Sequence, residues 1–544
     1  MTTEFANKIQ MQNMLFSELS NMFGKEVPFY DKSLLVNRIC NQTVCSLLSK
    51  IHVGFNISDE QLDKTSGERH GAIRIGKPSE YRWVAGYFTA FALEPHNFYD
   101  MTNVGSKSQP IVATAFRSSL NPEHRVFCSL LMTDYFDPHI RQRIEALLAS
   151  REVFSDRAKE LILKNQKQNG LNWNDAGELI REGVTRIFKW TGRARDYQLY
   201  QDLCQAGFKI AADIACFEFH HLNHLTPNTF WMDLYTDAMK FCLGEMDAAT
   251  HLTRAQLALD RLHRFADKDY MKLHFKHLST EVIDSYGRGN VAAEYTRELA
   301  GQLTNRLQQA DLQLSKLNHA GFKDFTEGPP EDTPILLRQD AYKALTEPVI
   351  FQQPDGSTVK AAHTARFGEI EQRFYATTPA GRQFYDQCLA AAEAARARNP
   401  NLIKQDYTAY QKQYAQCFSA FPKKLAALLE RKLVYGRFTA TPKGLAAKAS
   451  KSIQTEDLNE LIRLGYVHAD GLRYEDFLPV SAAGIFASNL GQYGTKSTAS
   501  AKPVYTREML EEILGKKIID SDAIYSSLQQ ESIREVYEQL GLCQ

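Results

Sequence analysis

Three residues that make good metal ligands sit in three short segments far apart in the chain, so a fold that uses them together has to lay distant strands side by side. The segments are Glu68-Arg69-His70-Gly71-Ala72-Ile73-Arg74, His220-His221-Leu222-Asn223-His224-Leu225-Thr226-Pro227 and Phe367-Gly368-Glu369-Ile370-Glu371-Gln372-Arg373. Two imidazoles and one carboxylate on one face of a metal leave its other positions open, which is the ligand set of non-heme iron(II) oxygenases. If the three meet, the chain is an oxygen-activating enzyme. If they do not, the sequence describes little beyond a soluble globular protein.

At 544 residues the chain exceeds the usual size of one hydrophobic core, and two or more lobes or a core with insertions are expected. With 44% hydrophobic and 24% charged residues it has the composition of a packed protein. Lys+Arg and Asp+Glu balance at 64 each, so no global field draws it to nucleic acid or to an anionic membrane. The nine cysteines are scattered and form no Cys-x-x-Cys pair, which disfavours a zinc ribbon or a dithiol redox motif and fits a reducing compartment. The first residues lack a signal-peptide apolar stretch, and no apolar run approaches the roughly 20 residues needed to span a bilayer. The expected location is cytoplasmic.

Helical spacing of apolar residues predicts helices over 5–24 and 31–52. A strand is expected at 70–76, a helix from Tyr81 to Leu93, and strands at 111–117 and 125–132. Residues 138–206 read as mostly helical, and Phe208 to Leu225 as β-like. Leucines interleaved with charged residues over 240–318 predict a helical hairpin or small bundle, with Gly287-Arg288-Gly289 as a helix-helix turn. Strand-like segments recur at 334–337, 348–352 and 364–373, followed by helices at 380–397 and 406–434. Residues 474–490 are turn-rich and 506–541 helical, with Ser521 and Asp522 as caps for the last helix. The expected divisions are 1–239, 240–318, 319–500 and 501–544. Strands and helices without regular βαβα alternation indicate an α+β fold. A P-loop, a strand-linked G-x-G-x-x-G and a G-x-S-x-G elbow are all missing, which disfavours nucleotide hydrolysis and α/β-hydrolase chemistry.

On a strand, His70, Ala72 and Arg74 share one face. A metal-binding His and an Arg four residues on lie roughly 13 Å apart at the backbone, a spacing that suits an acid chelated at one end and clamped by a guanidinium at the other. The bland alternative is an ordinary histidine and a surface arginine. Pro227 and the neighbouring phenylalanines favour a strand ending for the histidine cluster, with His220 and His224 facing one way and His221 the other. Glu369, Glu371 and Arg373 share a strand face, and the pattern alone leaves open which glutamate serves a metal. A competing set, His274, His277 and Glu281, shares one face if 270–285 is helical.

Longer stretches carry a family likeness. Glu68 to Arg74, Asn223 to Pro227, Leu336-Leu337-Arg338-Gln339, His363-Thr364-Ala365-Arg366-Phe367-Gly368-Glu369-Ile370-Glu371-Gln372-Arg373 and Tyr474-Glu475-Asp476-Phe477-Leu478-Pro479-Val480-Ser481-Ala482-Ala483-Gly484-Ile485-Phe486 resemble the 2-oxoadipate dioxygenase/decarboxylase family. That family is an offshoot of the vicinal-oxygen-chelate fold, related in chemistry to 4-hydroxyphenylpyruvate dioxygenase and hydroxymandelate synthase. The resemblance implies an incomplete β-barrel core of βαβββ modules with many decorating helices. It implies one Fe(II) held by His70, His224 and Glu369, which selects Glu369 over Glu371. It further implies that Arg74 holds a substrate carboxylate and that Val480 and Ser481 line the pocket. The reaction implied takes a 2-oxo dicarboxylic acid, 2-oxoadipate, and O2 to 2-hydroxyglutarate and CO2 in lysine catabolism. Two departures stand out: Asn228 where the family commonly has Arg, and the helical stretch 240–318, which reads as an insertion. Competing expectations are a Zn or Mn hydrolase or isomerase of the same fold, and a non-enzymatic helical scaffold built around 240–318.

Overall fold

A computed structural model describes residues 4–542 apart from 67–68, 119, 121–123, 318, 320 and 486–493. Glu68 and Phe486 of the motifs above lie outside the described residues. Twelve strands of three or more residues are labelled in chain order: β1 Arg69–Ile75, β2 Leu93–Asp100, β3 Ile111–Ser118, β4 His124–Leu131, β5 Arg193–Arg195 and β6 His224–Pro227. The rest are β7 Leu337–Tyr342, β8 Thr346–Gln352, β9 Thr358–Thr364, β10 Gly368–Arg373, β11 Gly436–Ala440 and β12 Val467–Gly471.

The main sheet has five strands in the order β2-β3-β4-β1-β6. β1, the helix Pro78–Ala90 and β2 to β4 form one βαβββ unit, in which β1 runs parallel to β4 from Arg69 opposite His124 to Ile75 opposite Leu130. β6 adds on the other side of β1, antiparallel, with His70 opposite Thr226 and Ala72 opposite His224. A parallel bridge between Asn228 and Glu371 then carries the β6 end onto β10, which pairs antiparallel with β7. The α+β class is borne out, with helices decorating open sheets.

Strand alternation sorts β1 as the sequence suggested. Ile73 and Ile75 join the core against Tyr81, Val84 and Phe88 of the Pro78–Ala90 helix. Ala72, on the opposite face, belongs to a second core with Phe127, Phe477, Ala482 and Ala483. His70 and Arg74 share that second face.

Several expectations need correction. Residues 208–225 are not β-like: Lys209–Cys216 is a helix, buried at every position after Lys209, and only 224–227 is a strand. Three alanines favour helix there, but eight mostly apolar residues are too few for periodicity to separate a helix from a buried strand. The helix expected from Tyr81 starts at Pro78, where proline takes the first turn. Strand β9, with its largely exposed alternation, and strands β11 and β12 were not anticipated. Gly287–Arg288 is a two-residue bridge to His52–Val53 rather than a helix-helix turn. The last helix is capped by Asp520, whose carboxylate accepts from the backbone N–H groups of Asp522 and Ala523. Ser521 instead turns its hydroxyl to Asp476.

Within 240–318 the helices Ala248–Phe265 and Ala293–Leu307 pack on each other and on Pro28–Ile51. Their buried leucines share one core with the N-terminal helices. No described helix is long and apolar enough to cross a membrane.

A buried trio pins the chain on its way to the histidine cluster. Glu80 receives Arg151 through two N–H groups, at 3.1 and 2.6 Å, and His220 Nε2 lies 3.1 Å from the same carboxylate. Arg151 also donates to the carbonyls of Ile214 and Phe217. Burial alone would raise the Glu80 carboxyl, but Arg151 and then His220 hold it well below the carboxylate range. A group depressed in the folded state contributes stability above its unfolded pKa and loses it as pH falls. Glu80→Gln is therefore expected to cost about 3–5 kcal/mol at pH 7, by stranding Arg151. In urea titrations the wild-type advantage should shrink below about pH 4.

Candidate metal centre

His70 from β1, His224 from β6 and Glu369 from β10 meet, each nearly fully buried, with ligand atoms all within 4.8 Å of one another. Glu369 Oε2 lies 3.5 Å from His70 Nε2 and 3.3 Å from His224 Nε2. The two rings stand perpendicular with centroids 5.5 Å apart. The neighbour of His70 has to be small: a Cβ on Gly71 would lie 3.1 Å from Leu222 and 3.4 Å from the His224 carbonyl.

The donor set fits a cation. His70 Nε2, His224 Nε2 and Glu369 Oε1 are buried and have no hydrogen-bond partner among the described residues. Two imidazole lone pairs and a carboxylate turned toward one another out of water are costly unless something positive completes them. Burial, then the neighbouring His70 and Arg74, push the His224 pKa well down, which keeps the ring neutral as a metal ligand must be. Glu369 is pushed up by burial, and its Oε2 accepts from Gln339 Nε2 and, at 3.2 Å, from Thr226 Oγ1.

The second glutamate does a different job. Glu371 Oε2 lies 3.0 Å from His70 Nδ1, on the ring edge away from Glu369. Its carboxylate takes two bonds from Arg373, at 2.7 and 2.8 Å, and one from Arg125 at 3.1 Å. Although burial opposes it, Arg373, His70 and Arg125 hold Glu371 well below the ordinary carboxylate range. A carboxylate this close behind the ring favours the tautomer that carries its proton on Nδ1 and presents Nε2 to a metal. Phe477 packs edge-on against His70 and Phe367 tilts against His224, at 4.9 and 4.7 Å, which keeps the walls apolar.

Arg74 lies on the same side of β1, buried, and is already engaged. Nη1 donates to Asp213 at 2.7 Å and Nη2 to the Ala483 carbonyl at 3.1 Å. Asp213 is a hub: His363 Nε2 lies 2.9 Å and His221 Nε2 3.3 Å from its Oδ1, and Tyr200 Oη is 2.8 Å from His363 Nδ1. Gly484 gives the guanidinium room, since its φ is +70° and a Cβ there would lie 2.8 Å from Nη2.

Val480 and Ser481 sit on the short helix Pro479–Ala482, one residue before the Ala483 carbonyl that Arg74 grips. They line a cavity of about 240 Å³ together with Lys107, Glu327, Arg382 and Arg396. The Ser481 hydroxyl bonds to Glu327, which also pairs with Lys323 at 2.7 Å. Glu327 leads back to the metal set, because its backbone pairs with Gln339, the residue that holds Glu369.

The other histidines go elsewhere. His220 joins Glu80 and His221 joins Asp213, so only His224 of the cluster reaches the centre. The competing set is not assembled: the helix breaks between Lys268–His274 and Thr280–Ser285. His274 packs between Tyr270 and Phe374, and His277 meets the Thr65 hydroxyl at 3.3 Å. The sequence reading missed Asp213, Glu371 as a support and Gln339 as a carboxylate holder. Gln339 and His363 stood inside the quoted motifs, whereas Asp213 lay in the segment misread as β.

Two histidines and one carboxylate from three strands of an α+β core thus form a buried set that could hold a metal ion. The family profile for 2-oxoadipate dioxygenase/decarboxylase matches residues 15–249 and 265–489. The chain belongs to this family, as its motifs suggested. A 2-oxoadipate dioxygenase/decarboxylase of Pseudomonas putida is 31% identical over 99% of this chain and 98% of its own length. Its counterpart in Escherichia coli is 30% identical over 96% of this chain and 97% of its own length. Among solved structures, hydroxyglutarate synthase from Pseudomonas putida in complex with 2-oxoadipate superposes with a TM-score of 0.68 at 30% identity, covering 99% of each chain. A second structure of that synthase gives a TM-score of 0.65 at 28% identity, again over 99% of each chain.

Glu369→Ala is expected to abolish stoichiometric metal binding in equilibrium dialysis while the far-ultraviolet circular dichroism is kept. Glu371→Gln should leave all three ligands in place but weaken metal affinity roughly 10- to 100-fold, through the loss of the support behind His70.

Proposed function

We propose that this chain is an iron(II)-dependent dioxygenase that decarboxylates 2-oxoadipate and hydroxylates the product, giving 2-hydroxyglutarate and CO2, a step of lysine breakdown. The observation that carries the reading is the buried His70, His224 and Glu369 set, whose two Nε2 atoms and Glu369 Oε1 have no hydrogen-bond partner among the described residues, in a chain matched end to end by relatives bearing this activity's name. Bound iron(II) would supply the site for O2 and for the 2-oxo acid's oxygens, and the electrons that start the reaction. The balance closes without a second organic substrate: one atom of O2 ends in the new carboxylate and the other in the hydroxyl.

The residues of the chain supply geometry. Glu371 holds His70 in the orientation that offers Nε2, and Gln339 with Thr226 holds one oxygen of Glu369. Phe477 and Phe367 exclude water from the ligand rings. Arg74 holds the distal carboxylate of the diacid and so fixes which carbon faces the reacting oxygen, a positioning effect worth several kcal/mol of barrier. Asp213 aims Arg74 and, with His363 and His221 behind it, keeps the guanidinium from swinging into the metal set. Val480 and Ser481 line a neighbouring cavity beside Glu327, and neither the three ligands nor Arg74 is among its lining residues.

The direct test is anaerobic loading with Fe(II), then O2 and 2-oxoadipate, with O2 uptake, CO2 and 2-hydroxyglutarate read together. The three are expected in equal amounts and only with iron. Turnover with Zn or Mn and no O2 uptake would replace this reading with a hydrolase or isomerase. Arg74→Gln should raise KM for 2-oxoadipate roughly 10- to 100-fold, the size of a lost charged hydrogen bond, while sparing iron content. Asp213→Asn should move KM in the same direction by less. Both should leave 2-oxohexanoate, which lacks the distal carboxylate, nearly unaffected. Iron loss in Arg74→Gln would show that its role is structural.

A further inference from the structure

Phe477, whose ring packs on His70, belongs to a segment that the last helix of the chain, Ser521–Leu540, holds from outside. Its neighbour Asp476, 4% exposed, collects three donors. Arg117 Nη1 and Ser521 Oγ each reach Oδ1 at 2.7 Å, and Tyr525 Oη reaches Oδ2 at 2.8 Å. The Tyr525 hydroxyl also accepts from the backbone N–H of Glu475 at 2.9 Å. Burial opposes the charge on Asp476, yet Arg117, then Ser521 and Tyr525, hold its pKa below the ordinary carboxylate value. One buried phenol thus ties two consecutive residues of the segment, using both its donor and an acceptor lone pair.

The segment touches the site twice. Phe477 meets His70, and the chain then runs into the short helix Pro479–Ala482 and the Ala483 carbonyl that Arg74 grips. Asp476, Phe477, Pro479 and Tyr525 also line a cavity of about 450 Å³. Open space replaces packing there, which leaves the restraint on that side to the hydroxyls of Ser521 and Tyr525. The helix that carries them is itself anchored. The Tyr525 ring stacks on Tyr435 with centroids 5.7 Å apart, and the Ser521 N–H donates to the Asn97 side chain at 3.0 Å. Farther along, Val536 and Leu540 pack with Phe438, Leu461 and Val467. With 20 residues the helix spans about 30 Å, a stiff arm fixed along its length.

We propose that Tyr525 is a positioning residue for the reaction at the metal centre. Through Asp476 and the Glu475 amide it keeps Phe477 against His70 and the Ala483 carbonyl on Arg74, so a residue of the C-terminal helix sets the rate without touching substrate. The inference rests on the dioxygenase reading for the reaction it affects, and on geometry alone for the segment it holds.

Tyr525→Phe removes the hydroxyl and keeps the ring. In the metal-free full chain, hydrogen–deuterium exchange read by mass spectrometry should be roughly 10- to 100-fold faster over 474–485, the size of a lost hydrogen bond to a charged group, and unchanged over 530–540. In the iron-loaded protein, kcat per bound iron should fall at least about tenfold. Phe477→Leu should lower kcat as well, and the double variant should be no slower than the slower single one, because both act through one ring. If Tyr525→Phe does not fold, Ser521→Ala takes its place with the same expectations. Unchanged exchange over 474–485, acceleration that extends to 530–540, additive losses in kcat, or full kcat with the segment loosened would each overturn the proposal. Absence of turnover in the wild-type protein would refute the dioxygenase reading alone, and the exchange comparison would still decide whether Tyr525 holds the segment.

Discussion

The centre depends on one buried carboxylate that is not in the ligand set. Glu371 draws together Arg373 from its own strand, Arg125 from β4 and His70 from β1. Arg125 extends the chain of charges to Glu475, and Arg373 grips the carbonyls of Tyr474 and Asp476. The turn-rich segment that brings Phe477 against His70 is therefore held by the same charge cluster that orients the ring. Removing Glu371 would take from Arg373 its carboxylate partner and from Arg125 one of its two, which is why a neutral residue there costs more than one hydrogen bond.

This pattern repeats through the core. Arg366 joins Glu26 to Glu347, Arg117 joins Asp476, and Arg74 joins Asp213, each largely buried. Buried pairs of this kind add little net stability against apolar packing, but each side chain is costly to misplace once its partner is fixed. A site built from several strands gains definition from such pairs, because His70, His224, Glu369 and Arg74 have no freedom to drift apart. Asp213 carries this logic furthest: it takes Arg74 at 2.7 Å and His363 at 2.9 Å and lies 3.3 Å from His221 Nε2, all from the helix Lys209–Cys216.

What could be read from the sequence follows from periodicity. A two-residue repeat put His70 and Arg74 on one face of β1, and the structure keeps them there because Ile73 and Ile75 have a helix to bury against. The same repeat could not separate Glu369 from Glu371, which share a face; they differ in which neighbours reach them, Gln339 for one and two arginines for the other. The helix bearing Asp213 was misread because it is only eight residues long and, apart from Lys209 and Asp213, apolar, too short a stretch to tell a helix from a buried strand by periodicity. His220 looked equivalent to His224, and His221 faced the other way, until Glu80 and Asp213, distant in sequence, claimed the two.

The central claim is that His70, His224 and Glu369 hold one metal ion between three strands. Anomalous diffraction at the iron edge from crystals of the Fe(II)-loaded protein, grown without oxygen, tests it most directly. A single strong peak is expected, bonded to His70 Nε2, His224 Nε2 and Glu369, with Glu371 outside the coordination sphere behind His70. A peak bonded to Glu371 instead, or one lying away from these residues, would contradict it.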